Sequence, residues 1–158
     1  MKPRKVSGMI VSRREGNYAL LRPMLETMGI EPLNANSCAE AERLLAEAVS
    51  VHLVMTDAVL PDGNWLDILD LTAKSKEKIN VIVVCPRADI RLYVDVMNHG
   101  AFDFITENFT VSEVVYIVRN AMDNARHGRT KPTLVPSSLT RLRSAAPERP
   151  HNGLPEAD

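Results

Sequence analysis

The stretch LVMTDAVLPDGNW, residues 53–65, places an aspartate directly after a hydrophobic run and follows it with a Pro-Asp-Gly turn. The apolar residues before Asp57 are typical of a strand buried on both faces, and the Pro-Asp-Gly sequence is typical of a tight turn. Asp57 therefore stands where a strand leaves its sheet. Its importance depends on what the rest of the chain builds around that strand end.

Short hydrophobic runs alternate with amphipathic segments on both sides of this stretch. The strand candidates are residues 6–12, 32–37, 51–57, 79–85 and 101–106. Runs rich in Val and Ile between helical segments indicate a parallel sheet with both faces covered. Five such units predict a doubly wound α/β sandwich, a five-stranded parallel sheet with five helices.

Several helix ends are marked in the sequence. Ser37 with Glu40, and Thr110 with Glu113, have the spacing of capping boxes. The glycines expected just after helix ends are Gly29, Gly100 and Gly128. One residue opposes the pattern: Pro23 falls inside the first helix and predicts a kink or a later start.

Composition and charge divide the chain into two parts. Residues 1–125 hold 13 Lys and Arg against 17 Asp and Glu, whereas residues 126–158 hold six against three. Five of the ten prolines follow Gly128, without a sustained apolar period. We predict an ordered domain over residues 5–127 and a flexible, proline-rich basic tail over residues 128–158. The tail is either a solvated linker or a contact for nucleic acid or an acidic partner.

The sequence also bears on where the protein works. No apolar run reaches the roughly 18 residues of a membrane span, and the N-terminal MKPRKVSGMIVSRRE lacks the long apolar core of a secretory signal. Cys38 and Cys85 are far apart and without metal-ligand spacing, which favours reduced thiols over a disulfide or a zinc site. We expect a cytoplasmic protein without a membrane partner.

In a doubly wound sheet, ligands bind at the carboxyl ends of the strands. The residues that the predicted strands bring there are Ser12, Arg13, Asp57, Cys85 and Glu107. No glycine-rich phosphate loop follows the first strand, and the histidines do not form a nucleophilic triad with a serine and an aspartate. We therefore expect a binding or signalling domain with no catalytic residues rather than an enzyme.

Two motifs make the chain resemble the receiver domains of two-component response regulators, which have a flavodoxin-like fold. TDAVLPDG matches the sequence around the phosphoacceptor aspartate of that family, and HGAFDFITENF matches its Gly-Ala-x-Asp-aromatic-hydrophobic-Thr-Lys-Pro-Phe stretch. The resemblance covers about residues 5–126. It implies that Asp57 is the phosphoacceptor position and that Phe104 is the aromatic that changes rotamer on activation.

The chain departs from the family where the family binds metal and phosphate. Ser12 and Arg13 replace the acidic pair that holds Mg²⁺, Cys85 replaces a Thr or Ser donor, and Glu107 replaces a lysine. Magnesium prefers hard oxygen ligands, so we expect no metal or cofactor. These changes predict an atypical receiver, or pseudo-receiver, in which Arg13 pairs with Asp57 or Glu107, or else points into solvent.

Three functions remain open at this point. The first is phosphorylation-independent protein interaction in phosphorelay-type signalling, the second is a conventional receiver phosphorylated on Asp57, and the third is nucleic-acid binding through the basic tail. The resemblance implies a histidine kinase, another signalling protein or a second copy of the chain as partner. Its expected contact face comprises the fourth helix, fifth strand and fifth helix. The candidate contact residues on it are Arg91, Tyr93, Asp95, Tyr116 and Arg119.

Overall fold

The computed structural model describes residues 5–47 and 50–127 of the 158-residue chain. The predicted tail, residues 128–158, and the predicted helix-ending Gly128 lie outside the described residues. Within the described ranges, no helix is both long and apolar enough to cross a membrane.

Strands and helices alternate along the chain. The strands are β1 (Ser7–Val11), β2 (Glu31–Ala35), β3 (Val51–Asp57), β4 (Val59–Leu60), β5 (Gly63–Asn64), β6 (Asn80–Cys85) and β7 (Asp103–Thr106). The helices are α1 (Glu15–Thr27), α2 (Cys38–Glu47), α3 (Trp65–Ala73), α4 (Ile90–Asn98) and α5 (Val111–His127). All five predicted strands are present, with ends that differ from the prediction by at most two residues.

The main sheet has five parallel strands in the order β2-β1-β3-β6-β7. Helices α1 and α5 pack on one face, and α2, α3 and α4 pack on the other. The predicted doubly wound fold with five helices is confirmed. Because every strand of this sheet points the same way, the carboxyl ends of β1, β3, β6 and β7 meet along one edge.

Alternating side chains fill the two halves of the core. Along β1, Met9 and Val11 pack with α2, α3 and α4, whereas Ile10 packs with α1 and α5. The same alternation places Val54 of β3 in the first cluster and Leu53 and Met55 in the second. Side chains on a strand point alternately to opposite faces, and both faces are covered here, so near-continuous apolar runs are required.

The helix-end predictions have mixed outcomes. Thr110 and Glu113 form a reciprocal capping box, and Gly29 and Gly100 adopt positive φ angles of 76° and 95°. At the start of α2 the box is only half formed, because the Glu40 carboxylate accepts from the N–H of residue 36 instead of that of Ser37. Of the two effects predicted for Pro23, a kink or a later start of α1, the later start is wrong: the helix begins at Glu15 and continues through the proline.

The Pro-Asp-Gly turn has a structural role of its own. Strands β4 and β5 form a two-stranded antiparallel hairpin around it. The Asp62 carboxylate at its tip accepts hydrogen bonds from the N–H groups of Cys38 and Ala39, at 2.8 and 2.9 Å. The turn that follows Asp57 therefore caps the amino end of α2, which fixes the hairpin against the neighbouring helix.

Candidate functional site

Asp57 ends β3 at the carboxyl edge of the sheet and is half-buried. Its Oδ2 accepts a hydrogen bond from Ser12 Oγ at 2.8 Å and another from the Arg13 N–H at 3.2 Å. Its Oδ1 accepts from Asn17 Nδ2 at 3.2 Å. A serine hydroxyl, a main-chain amide and an asparagine amide thus surround the carboxylate with three donors.

Ser12 connects this carboxylate to the loop between β1 and α1. It is buried, and its Oγ accepts from the Arg14 N–H at 3.1 Å while donating to Asp57. The Arg14 carbonyl oxygen lies 3.0 Å away and is a second possible acceptor for the single hydroxyl proton. The charged carboxylate is the stronger acceptor of the two, so Ser12 both shapes the loop and holds Asp57.

Glu107 follows β7 and is bound from the same loop. Nη1 of Arg14 lies 3.1 Å from each of its carboxylate oxygens, and Asn17 Nδ2 lies 3.4 Å from Oε1. One asparagine amide therefore bridges the two carboxylates, Asp57 and Glu107. The arrangement joins the loop after β1 to the ends of β3 and β7.

The arginine that pairs with Glu107 is Arg14, not the predicted Arg13. The amino cap of α1, Arg14, has extended backbone angles of φ −97° and ψ 116°. In extended backbone, successive side chains point to opposite sides, so the two arginines diverge. Arg13 reaches Asp57 through its main-chain N–H, and its side chain makes no salt bridge with another described residue.

Two members of this network were not among the predicted site residues, Arg14 and Asn17. Asn17 is buried in the first turn of α1, the position from which a helix side chain reaches the adjoining strand ends. No motif marks it, because one asparagine near a helix start is common. The available signal was its place at the start of the helix that follows the first strand.

Cys85 ends β6, next to Asp57 in the sheet. The pKa of its thiol is raised to about 11, chiefly by burial. A main-chain hydrogen bond from Arg87 lowers this pKa, and the charges of Asp89, Glu107 and Asp57 contribute to the rise. Cys85 is therefore an uncharged thiol at neutral pH, and a thiol is a weak hydrogen-bond donor. Its carbonyl accepts from the Glu107 N–H at 2.8 Å, which holds the loop after β7 in place.

Asp57, Glu107 and both arginines line a small cavity of about 80 Å³ at this edge of the sheet. Val59 of the hairpin contributes to its rim and is 71% exposed. Within the described part of the chain, no three His, Cys, Asp or Glu side chains group closely enough to hold a metal ion. The chemistry of the site is thus that of two carboxylates with amide, hydroxyl and guanidinium donors.

Phe104 lies inside the protein. It is 0% exposed, and its ring meets that of Tyr93 edge to face with the centroids 5.8 Å apart. Tyr93 is itself half-buried, and burial raises the pKa of its hydroxyl, with a further contribution from the charge of Asp103. The aromatic at the expected switch position is therefore packed against α4.

The predicted contact residues lie on both sides of the edge strand β7. Arg91 and Asp95 are exposed on α4, and Tyr116 is exposed on α5. Arg119 is also exposed but lies beside a groove between α1 and α5, away from α4. Two apolar residues of α4 that were not predicted, Ile90 and Val94, are 58% and 47% exposed.

Comparisons with known proteins agree with this geometry. The family model for the response regulator receiver domain matches residues 9–119. The DNA-binding transcriptional regulator NtrC of Azospirillum brasilense is 25% identical over 118 residues, which is 75% of this chain and 24% of that protein. The chain thus spans about a quarter of the length of the curated relatives it matches.

Solved structures show the same fold. A response regulator receiver domain protein from Clostridium thermocellum has a TM-score of 0.70 and 22% identity, covering 78% of this chain and 99% of that one. The beryllofluoride-activated NtrC4 receiver domain dimer has a TM-score of 0.69 and 23% identity, covering 75% and 98%. With the family model matching well over half of the chain, the protein belongs to the family of response regulator receiver domains.

Proposed function

We propose that this receiver domain acts in two-component signalling by phosphorylation-independent protein interaction, as a cytoplasmic signalling domain without enzymatic activity. The observation that carries the proposal is the hydrogen-bond network around Asp57 and Glu107. Ser12, Arg13 and Asn17 supply donors to Asp57, and Arg14 supplies them to Glu107. Donors of the protein itself thus stand where the family places a metal ion and a lysine.

The donor set does not fit Mg²⁺. This ion requires close to octahedral coordination by oxygen ligands, normally with one or two carboxylates directly bound. Of the two carboxylates here, Glu107 is paired with a guanidinium group, and Asp57 accepts three hydrogen bonds. A metal ion would have to displace the Arg14 pair or the Ser12 hydroxyl, and Arg13 would add a positive charge nearby.

A phosphoryl group on Asp57 would also meet an unfavourable charge. Phosphoryl transfer requires cations that neutralise the transferring group. At about 4 Å, two like unit charges repel by roughly 4 kcal/mol at an effective dielectric constant of 20, and the pairing of Glu107 with Arg14 offsets part of that repulsion. Arg14 already has an acidic partner, and the thiol of Cys85 is a poor substitute for a hydroxyl donor.

The position of Phe104 supports a switch that is fixed in one state. A phenylalanine has no polar end that would gain from contact with water, and this ring is fully buried against Tyr93. Turning it outward would expose the ring and leave a cavity in the core. The surface formed by α4, β7 and α5 would then keep one conformation.

That surface is the proposed contact for a histidine kinase, another signalling protein or a second copy of the chain. Exposed Ile90 and Val94 of α4 and Tyr116 of α5 give it apolar area, and Arg91 and Asp95 surround them with charge. An apolar centre with a polar rim is typical of protein interfaces. The NtrC4 receiver domain, which has the same fold, is described as a dimer.

The proposal is tested by NMR with Mg²⁺ and beryllofluoride, a mimic of a bound phosphoryl group. We expect the amide resonances of Phe104 and Tyr116 to stay unchanged in the wild type. A variant with the family-type residues restored, Ser12→Asp, Arg13→Asp, Cys85→Thr and Glu107→Lys, should show saturable shifts. Saturable shifts in the wild type that are absent from Asp57→Asn would overturn the proposal.

One observation favours the second candidate, a conventional phosphoacceptor. Asp57 keeps its place at the end of β3 and borders a cavity rather than lying in the core. The beryllofluoride experiment separates the two candidates directly. Nucleic-acid binding through the basic tail stays a prediction, because residues 128–158 lie outside the described structure.

A further inference from the structure

A groove of about 450 Å³ runs between α1 and α5 on the outside of the domain. Met24 of α1 and Met28 just after it line one side, and Val111, Val115 and Met122 line it from α5. Val111 is 60% exposed. Methionine side chains adapt readily to the shape of a partner, so this surface suits an apolar peptide.

We propose that residues 133–142, TLVPSSLTRL, dock in this groove of their own chain. The groove ends at Asp123, about one helical turn before α5 ends at His127. At 1.5 Å per residue, the groove extends about 18 Å back along α5 to Val111. Seven extended residues after His127 span up to about 23 Å, so Leu134 can return past Asp123 and along most of the groove.

The composition of the segment matches the groove. Four of the five Leu and Val residues after Gly128 fall within residues 133–142: Leu134, Val135, Leu139 and Leu142. Docking would bury these side chains against the methionines and valines, and the burial of apolar area favours the docked state. A solvated linker would have no need to concentrate its aliphatic residues in ten positions.

Charge also favours this occupant. Residues 1–125 carry 13 Lys and Arg against 17 Asp and Glu, while residues 126–158 carry six against three. The groove lining itself carries one charge of each sign, Arg119 and Asp123, so the attraction comes from the net charge of the domain. The docking segment contains Arg141, with Arg143 just after it. Opposite net charge brings the segment towards the domain.

Docking there would cover the outer surface of α1 against other partners. The inference goes beyond the proposed function and is independent of it, because neither Asp57 nor the surface formed by α4, β7 and α5 takes part. Phosphorylation of Asp57 would contradict the proposed function and leave the docked segment untouched.

Methionine methyl groups provide a direct test in the full chain. Three of the seven methionines line the groove, Met24, Met28 and Met122, and Met97 of α4 is a distant reference. The protein is labelled with ¹³C-methyl methionine. We then compare two double variants. The first carries Leu134→Asp and Val135→Asp, and the matched control carries Ala145→Asp and Ala146→Asp, which add the same charge outside the apolar stretch.

We expect the groove methyl resonances to shift in the first variant and to keep their wild-type positions in the control, with Met97 unchanged in both. The core methyl groups of Met9 and Met55 report that each variant is folded. Identical groove resonances in the wild type and the first variant would overturn the proposal. The groove resonances of the wild type could instead shift with protein concentration, while sedimentation shows a doubled mass. That result would assign the groove to a second copy of the chain and would also overturn the proposal.

Discussion

Arg14 and Glu107 connect the two loops on either side of Asp57, with one guanidinium nitrogen 3.1 Å from both carboxylate oxygens. One loop follows β1 and the other follows β7, so the pair crosses the carboxyl edge of the sheet above β3 and β6. A positive residue after β1 is thus paired with a negative residue after β7. The negative charge of Glu107 is thereby balanced within the protein.

This pair should contribute little to stability. The Arg14 side chain is 57% exposed and that of Glu107 is 23% exposed, and exposed ion pairs are worth up to about 1 kcal/mol. In a double-mutant cycle with Arg14→Gln and Glu107→Gln, we expect a coupling free energy below about 1 kcal/mol by urea denaturation. A coupling above about 2 kcal/mol would show that water screens the pair less than its exposure indicates.

Asn17 should matter more for stability than the ion pair. It is buried, and its amide donates to both Asp57 and Glu107. Hydrogen bonds to charged groups contribute about 1.5 to 3 kcal/mol, so we expect Asn17→Ala to lower the free energy of unfolding by about 2 kcal/mol. The control Asn34→Ala, at an exposed position on β2, should change it by less than about 0.5 kcal/mol. Equal effects of the two substitutions would contradict the role assigned to Asn17.

Asp62 should make stability depend on pH in the acid range. The N–H groups of Ala39 and Cys38 hold the pKa of Asp62 below its usual value of 3.8. Because the folded-state pKa is lower than the unfolded one, the stabilisation is complete above the usual value and is lost as the pH falls through the folded-state value. Asp62→Asn should therefore lower Tm at neutral pH, by an amount that shrinks below about pH 4.

Calorimetry across this pH range checks the prediction for Asp62. The matched control is Asp70→Asn, which removes the same charge at an exposed position on α3. A Tm difference between the wild type and Asp62→Asn that stays constant down to the lowest pH measured would contradict the capping role of Asp62.

Two glycine substitutions should have opposite effects. A Cβ at Gly63 would overlap the Asp67 carboxylate and lie 3.0 Å from Cys38 Sγ, whereas a Cβ at Gly16 would meet nothing within 4 Å. Overpacking costs about 1 to 3 kcal/mol, so Gly63→Ala should destabilise the domain by that amount. Gly16→Ala, in the first turn of α1, should stabilise it by up to about 1 kcal/mol. Urea denaturation of both variants provides the comparison, and destabilisation by Gly16→Ala would contradict the open space at that position.

The sequence predicted the fold well because its signals were local. Alternating apolar runs, the Thr110 capping box and the two glycines with positive φ each depend on neighbours in the chain. Local signals in the sequence did not reveal whether Arg13 or Arg14 pairs with Glu107. The pairing depends on the residue at which α1 begins, and helix boundaries are the least certain feature of a sequence-based prediction.

The other missed contacts are tertiary. Asn17 meets Asp57 and Glu107 across 40 and 90 residues of chain, and Asp62 caps a helix that starts 24 residues before it. No spacing rule predicts such pairs without the sheet order. Conversely, the position of Asp57 followed from the rule that chemistry gathers at the carboxyl ends of parallel strands.

The central claim is that Asp57 does not accept a phosphoryl group. Intact-protein mass spectrometry after incubation with acetyl phosphate and Mg²⁺ tests it most directly, beside Asp57→Asn and the variant with the four family-type residues restored. We predict no added phosphate mass on the folded wild type and a clear addition on the restored variant. A stable phosphate addition on the wild type that is absent from Asp57→Asn would contradict the account.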